Sequence, residues 1–199
     1  MKKHGFTLIE ILVVLAIIGL LATILIPTVT SGLAKARRTQ CLNNLHALGS
    51  VVQAYSADHK GRLPGVGGGA AFDSYSAMVK GLYEGEYLET FDVLVCPLDT
   101  GRSVCPAANV ESFSSGANSS YLYFAGYNTL RVTDRLSTLP VFCDRARAGG
   151  TSALTDADNH GASWRNVVYL DGHTAGLRTA DDANAVVKVE LPSGVTPVE

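Results

Sequence analysis

Residues 6–26, FTLIEILVVLAIIGLLATILI, contain no basic side chain and one acidic one, Glu10. No other stretch limits the possible folds so strongly. As a helix the run is ~31 Å long, about one hydrocarbon thickness. It has no polar face, so it belongs in lipid or among other apolar helices. Lys2 and Lys3 come just before it. That positive flank holds an N-terminus in the cytoplasm and sends the bulk of the chain across the membrane. A secretory signal fits less well, because its apolar region is shorter and ends in small residues. Here Ile26-Pro27-Thr28 follows instead.

Glu10 is the anomaly. A carboxylate in the middle of a bilayer costs about 2.5–3.5 kcal/mol even on lenient insertion scales. Anchoring gains nothing from that cost, so the charge calls for another use.

The chain has 199 residues and a formal charge of -2, and beyond residue 27 it reads as one soluble domain. Losing the leader would remove both lysines and leave it more acidic, which offers nucleic acid no electrostatic footprint. From Leu33 onward, Leu42, Leu45, Leu48, Val52 and Tyr55 recur at spacings of three and four. They form an amphipathic helical stripe. Gly61 and Pro64 are its stop signals. One helix from Phe6 to about Asp58 would be ~80 Å long. Pro27 is expected to bend or open it by removing a backbone donor, with Gly32 loosening it nearby.

Shorter elements follow. VGGGAA is a flexible loop, and SYSAMVKGLYEGEYL reads as a helix capped by Asp73 or Ser74. FDVLVC, SYLYFAGYN and LPVFCD read as strands. NVVYLDGHTAGL reads as a hairpin with Asp171-Gly172 in a tight primed turn. DANAVVKVEL suits helix or strand equally. The expected fold is α+β, with a small, mainly antiparallel sheet packed on the stripe of the long helix.

Cys41, Cys96, Cys105 and Cys143 make an even number in an exported chain, which permits disulfides in three connectivities. The lack of any C-x-x-C weakens redox and zinc readings. Cys96 and Cys105 bracket a short turn-rich loop that one bridge would close, with free buried thiols as the alternative.

The stretch from Lys2 to Pro27 (basic leader, Gly5-Phe6, Thr7-Leu8-Ile9-Glu10, apolar run, proline) resembles the N-terminal signature of type IV pilins and type II secretion pseudopilins. ARRTQCLNNLHALGSVVQAYSADHKGRLPG is similar to the helix continuation of processing-associated prepilin-like proteins. Those often carry Cys-Pro near the middle, matched here by Cys96-Pro97. They also carry a His, nine intervening residues and then Asp-Gly, whereas ten residues separate His160 from Asp171-Gly172.

The resemblance implies a pilin-like fold in four parts. These are a leader over 1–5, a transmembrane and filament-core helix over 6–27, its amphipathic continuation over 28–62, and an α+β head over 63–199. It implies cleavage by a prepilin peptidase between Gly5 and Phe6 and N-methylation of Phe6. Glycine suits the cut because it leaves the backbone open to a protease. It further implies that Glu10 pairs with the Phe6 ammonium of a neighbouring subunit during assembly, so that two buried charges neutralise each other. The implied partners are copies or homologous subunits and an inner-membrane assembly platform. The implied location is a single pass of the inner membrane with the head on the non-cytoplasmic side, and later a periplasmic or surface filament.

Other chemistry is thinner. In TDADNHG, Asp156, Asp158, His160 and Gly161 take the first, third, fifth and sixth places of an EF-hand loop. The fifth place wants Asp or Asn, and the twelfth, which needs Glu, is Val167. A looser calcium site from Asp156, Asp158 and Asp171 stands beside the reading of a solvated acidic turn. His160, Asp171 and His173 invite catalysis or a metal, but no nucleophile elbow or phosphate loop accompanies them. The blander reading has His160 fastening the Asp-Gly turn. Trp164, Tyr121, Tyr123, Phe124 and Tyr127 read as binding surface or as core. Lys35, Arg37 and Arg38 read as lipid-facing or merely solvated. The expected function is a structural filament subunit, not an enzyme. A minor pilin whose head binds DNA or a surface is the first rival, and a membrane-anchored enzyme the second.

Overall fold

A computed structural model of the chain describes residues 7–65, 74–125, 136–145, 160, 164–178 and 196–198. The chain divides into two compact units, Met1–Arg37 and Arg38–Glu199.

The first unit holds the start of helix α1 (Leu8–Asp58). Its large apolar residues from Leu8 to Leu33 are all exposed, including Leu8 at 83% and Leu25 at 62%. This stretch is long and apolar enough to cross a membrane. Neither Pro27 nor Gly32 ends the helix, because α1 runs through both. Pro27 removes one backbone donor, a local loss that a helix this long absorbs. Nearby hydroxyls bond back to helix carbonyls: Thr23 to Gly19, Thr28 to Leu25, Thr30 to Pro27 and Ser31 to Thr28. In lipid that leaves no hydroxyl without a partner.

In the second unit α1 buries Cys41, Leu45, Leu48, Gly49, Val52 and Tyr55, the spacing of a single helical face. Leu42 lies at the margin of that face and is half-buried. The helix stops where Lys60 and Gly61 take positive φ and the Gly61 N–H bonds the Ser56 carbonyl, a left-handed C-terminal cap. Helix α2 (Tyr75–Glu84) starts at Ser74, whose hydroxyl accepts from the Ala77 N–H, and buries Tyr75, Met78, Val79 and Leu82. Helix α3 is one turn, Ser115–Asn118.

The strands are β1 (Tyr121–Ala125), β2 (Pro140–Asp144), β3 (Trp164–Tyr169), β4 (Thr174–Arg178) and β5 (Thr196–Val198). They form one sheet in the order β4-β3-β2-β1-β5, and every neighbouring pair is antiparallel. Strand alternation splits the core. Tyr121 and Tyr123 join Phe142 and Val168 in the cluster that includes the α1 and α2 residues. Leu122 and Phe124 join Cys143 and Val167 in a second cluster. A Cβ on Gly49 would lie 2.8 Å from a Val168 methyl, so α1 and β3 meet too closely for any side chain there. Together these features make a pilin-like α+β fold, with a long apolar N-terminal helix and a small antiparallel sheet.

Three expectations need correcting. FDVLVC is not a strand: Asp92–Leu94 form a 3-10 turn. Its backbone is tied instead by single bonds, from the Ser120 N–H to the Leu94 carbonyl and from the Cys96 N–H to the Ser120 hydroxyl. The hairpin turn is not a two-residue primed turn, because only Gly172 within it has positive φ. The Gly172 N–H bonds the Tyr169 carbonyl and the Tyr169 N–H bonds the His173 carbonyl, which makes a three-residue loop closed by a left-handed glycine. Lastly, Cys96 bridges Cys41 and not Cys105. The turn at Asp92–Leu94 brings Cys96 against the buried face of α1. Cys105 stays a buried thiol beside the Asn109 carbonyl. VGGGAA and DANAVVKVEL lie outside the described residues.

Candidate functional site

Thr7 and Glu10 open α1 with a reciprocal cap. Glu10 Oε2 accepts from the Thr7 N–H at 2.8 Å and from the Thr7 hydroxyl at 2.7 Å. The Glu10 N–H reaches back to Thr7 Oγ1 at 3.4 Å. This is a capping box, T-x-x-E, in which two N–H groups that lack helical partners find side-chain acceptors. The sequence reading gave Glu10 an intermolecular task and missed this intramolecular one, although the T-L-I-E spacing carried the signal. Gly5 and Phe6 lie outside the described residues, so the cleavage junction has no geometry here. Around Glu10 the exposed side chains are Leu8, Ile9, Ile11, Leu12, Val13 and Val14. A carboxylate held at the first turn of an apolar helix is an acidic group in a surface made for apolar neighbours.

The head contains a second concentration of chemistry that spacing did not reveal. Asp99 accepts from Arg102 at 2.6 Å and from the Ser120 hydroxyl at 2.8 Å, and the two residues of the ion pair are part-buried, with side chains only 9% (Arg102) and 4% (Asp99) exposed. Burial pushes the Asp99 carboxyl up, but the bonds from Arg102, Ser120 and the Gly101 N–H outweigh it and hold the pKa below the usual value. Nearby, His160 Nε2 lies 3.3 Å from Asp144 Oδ2, 3.1 Å from Asn166 Nδ2 and 3.8 Å from Cys96 Sγ. The Asn166 N–H donates to Asp144 Oδ2, and the Trp164 indole N–H donates to Asn166 Oδ1.

His160 therefore does not fasten the Asp171-Gly172 turn. Asp171 is exposed and bonds His173, whose N–H and Nδ1 both reach its Oδ1. Burial of Asp171 is slight, and the His173 contacts hold its carboxyl below the ordinary value despite it. Of the three residues in the calcium expectation, Asp156 and Asp158 lie outside the described residues, and Asp171 is engaged with His173. Tyr121, Tyr123 and Phe124 are buried core, while Tyr127 lies outside the described residues. Arg38 reaches the His160 carbonyl at 3.5 Å. Cys143 is enclosed, and burial pushes its thiol up to about 12, so it is an inert core residue.

Residues 1–26 match the prokaryotic N-terminal methylation motif. The chain is 38% identical over 64 residues to the ComG operon protein 3 homolog of Bacillus licheniformis, covering 32% of this chain and 66% of that one. It is 36% identical over 58 residues to the type II secretion system core protein G of Escherichia coli, covering 29% and 40%. With the competence protein ComGC of Bacillus subtilis it shares 36% over 64 residues, covering 32% and 65%. The chain thus spans less than two thirds of the length of each of these relatives. No solved structure matches it. In its methylation motif and in these relatives the chain is pilin- and pseudopilin-like.

Proposed function

We propose that this chain is a structural subunit of a type II secretion or type IV pilus-type filament. A prepilin peptidase cuts it after Gly5 and methylates Phe6, and an inner-membrane platform assembles it through its N-terminal helix. One observation carries the reading: from Leu8 to Leu33 the helix exposes apolar side chains on every side, yet opens on a fixed carboxylate. Such a surface is satisfied first by lipid and then by the same helices of neighbouring subunits. Before assembly Thr7 supplies hydrogen bonds to Glu10. In the filament the Phe6 ammonium of a neighbour supplies the counter-charge, which turns the cost of burial into a register signal. The chain waits in the inner membrane with its head outside the cytoplasm, and it acts as a part and not as an enzyme.

Intact-mass analysis of protein from its native host tests processing. The expected mature chain starts at Phe6 and carries one methyl group. A mature chain starting at Met1, or beyond residue 27, would sink the proposal. Sheared surface or periplasmic material should contain the cleaved form.

A further inference from the structure

The cluster around the Cys41–Cys96 bridge holds more than a disulfide needs. Cys41, Cys96, Asp144 and His160 are all buried, the last two at 3% and 4% exposure. A disulfide is satisfied by apolar surroundings, whereas an imidazole placed against it, with a carboxylate behind, pays a desolvation cost. The Trp164 indole fixes the Asn166 amide, with Oδ1 toward the indole and Nδ2 toward His160 Nε2. In the tautomer that carries its proton on Nδ1, Nε2 is the acceptor in that bond. In that tautomer Nε2 and Asp144 Oδ2, 3.3 Å apart, have no proton between them. Two acceptors face each other at this point, a contact that a cation would make favourable. Asp144 Oδ1 and His160 Nδ1 have no hydrogen-bond partner among the described residues.

We propose that the reduced chain binds one zinc ion here, through Cys41 Sγ, Cys96 Sγ, His160 Nε2 and Asp144 Oδ2. The cysteine and histidine ligand atoms all lie within 4.8 Å of one another. The Nε2 separations of 3.8 Å from Cys96 Sγ and 3.3 Å from Asp144 Oδ2 suit a tetrahedral site, whose edges are about 3.3–3.8 Å for zinc bonded to S, N and O. Asp144 touches Nε2 but lies outside that three-residue group, so once the bridge is open the sulfurs have to part and the Asp144 carboxylate has to close on them. Reduction by a dithiol takes two electrons and two protons into the pair, giving two thiols and leaving the reductant as its own disulfide. Zinc binding then releases both thiol protons. In the metal-bound form zinc takes the place of the Asn166 Nδ2 hydrogen bond on Nε2. The Asn166 N–H stays on Asp144 and orients that ligand from outside the site. Disulfide and metal are exclusive states of one cluster, and because the ligands are buried the site loads as the head folds, before the bridge closes.

The test uses the full chain in detergent, oxidised or reduced with a phosphine, and titrated with zinc or cobalt(II) alone. The expected result is one equivalent bound per reduced chain and none per oxidised chain. Cobalt should show a thiolate charge-transfer band, and zinc should raise the melting temperature of the reduced form only. Asp144→Asn and His160→Ala, each first shown to be folded with the bridge closed, should weaken zinc binding by more than the ~10–100-fold typical of an outer-shell change. Asn166→Ala should fall within that range. Reduced parent that takes up no zinc would overturn the proposal. Zinc uptake unchanged by both His160→Ala and Asp144→Asn would overturn it too, since the metal would then sit on two thiolates alone.

Discussion

Glu10 separates two roles that a single residue rarely allows to be told apart. Its carboxylate accepts the Thr7 N–H and hydroxyl, which a neutral amide oxygen also does, and on our proposal it provides a charge, which an amide does not. Glu10→Gln should keep the helix start and be cleaved after Gly5, yet leave most subunit in the membrane fraction. Glu10→Val should do the same and also lose the cap, a change of about 0.5–2 kcal/mol confined to the first turn. Comparing sheared filaments with membranes for cleaved protein reads both variants. Filament yield restored by glutamine would leave capping as the whole task of Glu10. In the head, Asp99 sets an acid limit. Its pKa in the folded state lies below the ordinary 3.8. Its contribution is therefore full above that value and is lost as pH falls through the folded pKa. Thermal unfolding of the parent and Asp99→Asn should differ most near neutrality, and the gap should close on acidification below the ordinary carboxylate range.

Among the elements, the second half of α1 matters most, because its buried face carries both the packing and the bridge. Leu45 is fully buried in the main cluster. Leu45→Asp should cost about 4 kcal/mol or more, as burying an unpaired charge does, and chemical denaturation of the head would measure it. A head as stable as the parent would mean that this face of α1 packs elsewhere. Gly49 tests the closeness of the helix to β3. A methyl group there would meet Val168 at 2.8 Å, so Gly49→Ala should destabilise by about 1–3 kcal/mol despite alanine's better helix propensity. The hairpin turn behaves likewise. Gly172 has φ +89 and lies against the Gln53 amide, so Gly172→Ala should cost about 1 kcal/mol or more through strain alone.

At the scale of the whole molecule, the two units face different surroundings. Residues up to Leu33 present apolar surface, and those from Arg38 on enclose their own core. The full chain should partition with detergent, and a chain beginning at Leu33 should stay in the aqueous phase as a folded monomer, as size-exclusion chromatography would show. The bridge joins residues 55 apart in sequence. On loop-closure entropy that is worth about 4 kcal/mol. Cys41→Ser with a chelator present should lower the denaturation midpoint accordingly, while Cys105→Ser should leave it nearly unchanged.

What the sequence determined by itself was local. The apolar run, the stripe from Leu45 to Tyr55, the Gly61 stop and a helix cap at Asp73 or Ser74 depend on neighbours within about one helical turn, and pattern shows them; the T-x-x-E start is equally local but went unread. The strands at Tyr121, Pro140 and Asn166 were legible from their branched and aromatic content, though the last begins two residues earlier, at Trp164, and Asp92–Leu94 was misread because the same content there meets no partner strand. The tertiary structure decided whatever joins distant positions. Cys96 had nearer candidates than Cys41, and only the packing of the Asp92–Leu94 turn on α1 selects the pair. Asp144, His160 and Asn166 come from separate segments, so no spacing announces that they meet. Burying them is costly unless each finds its partner, and which partner it finds is set by the packing of the sheet, not by the order of residues along the chain.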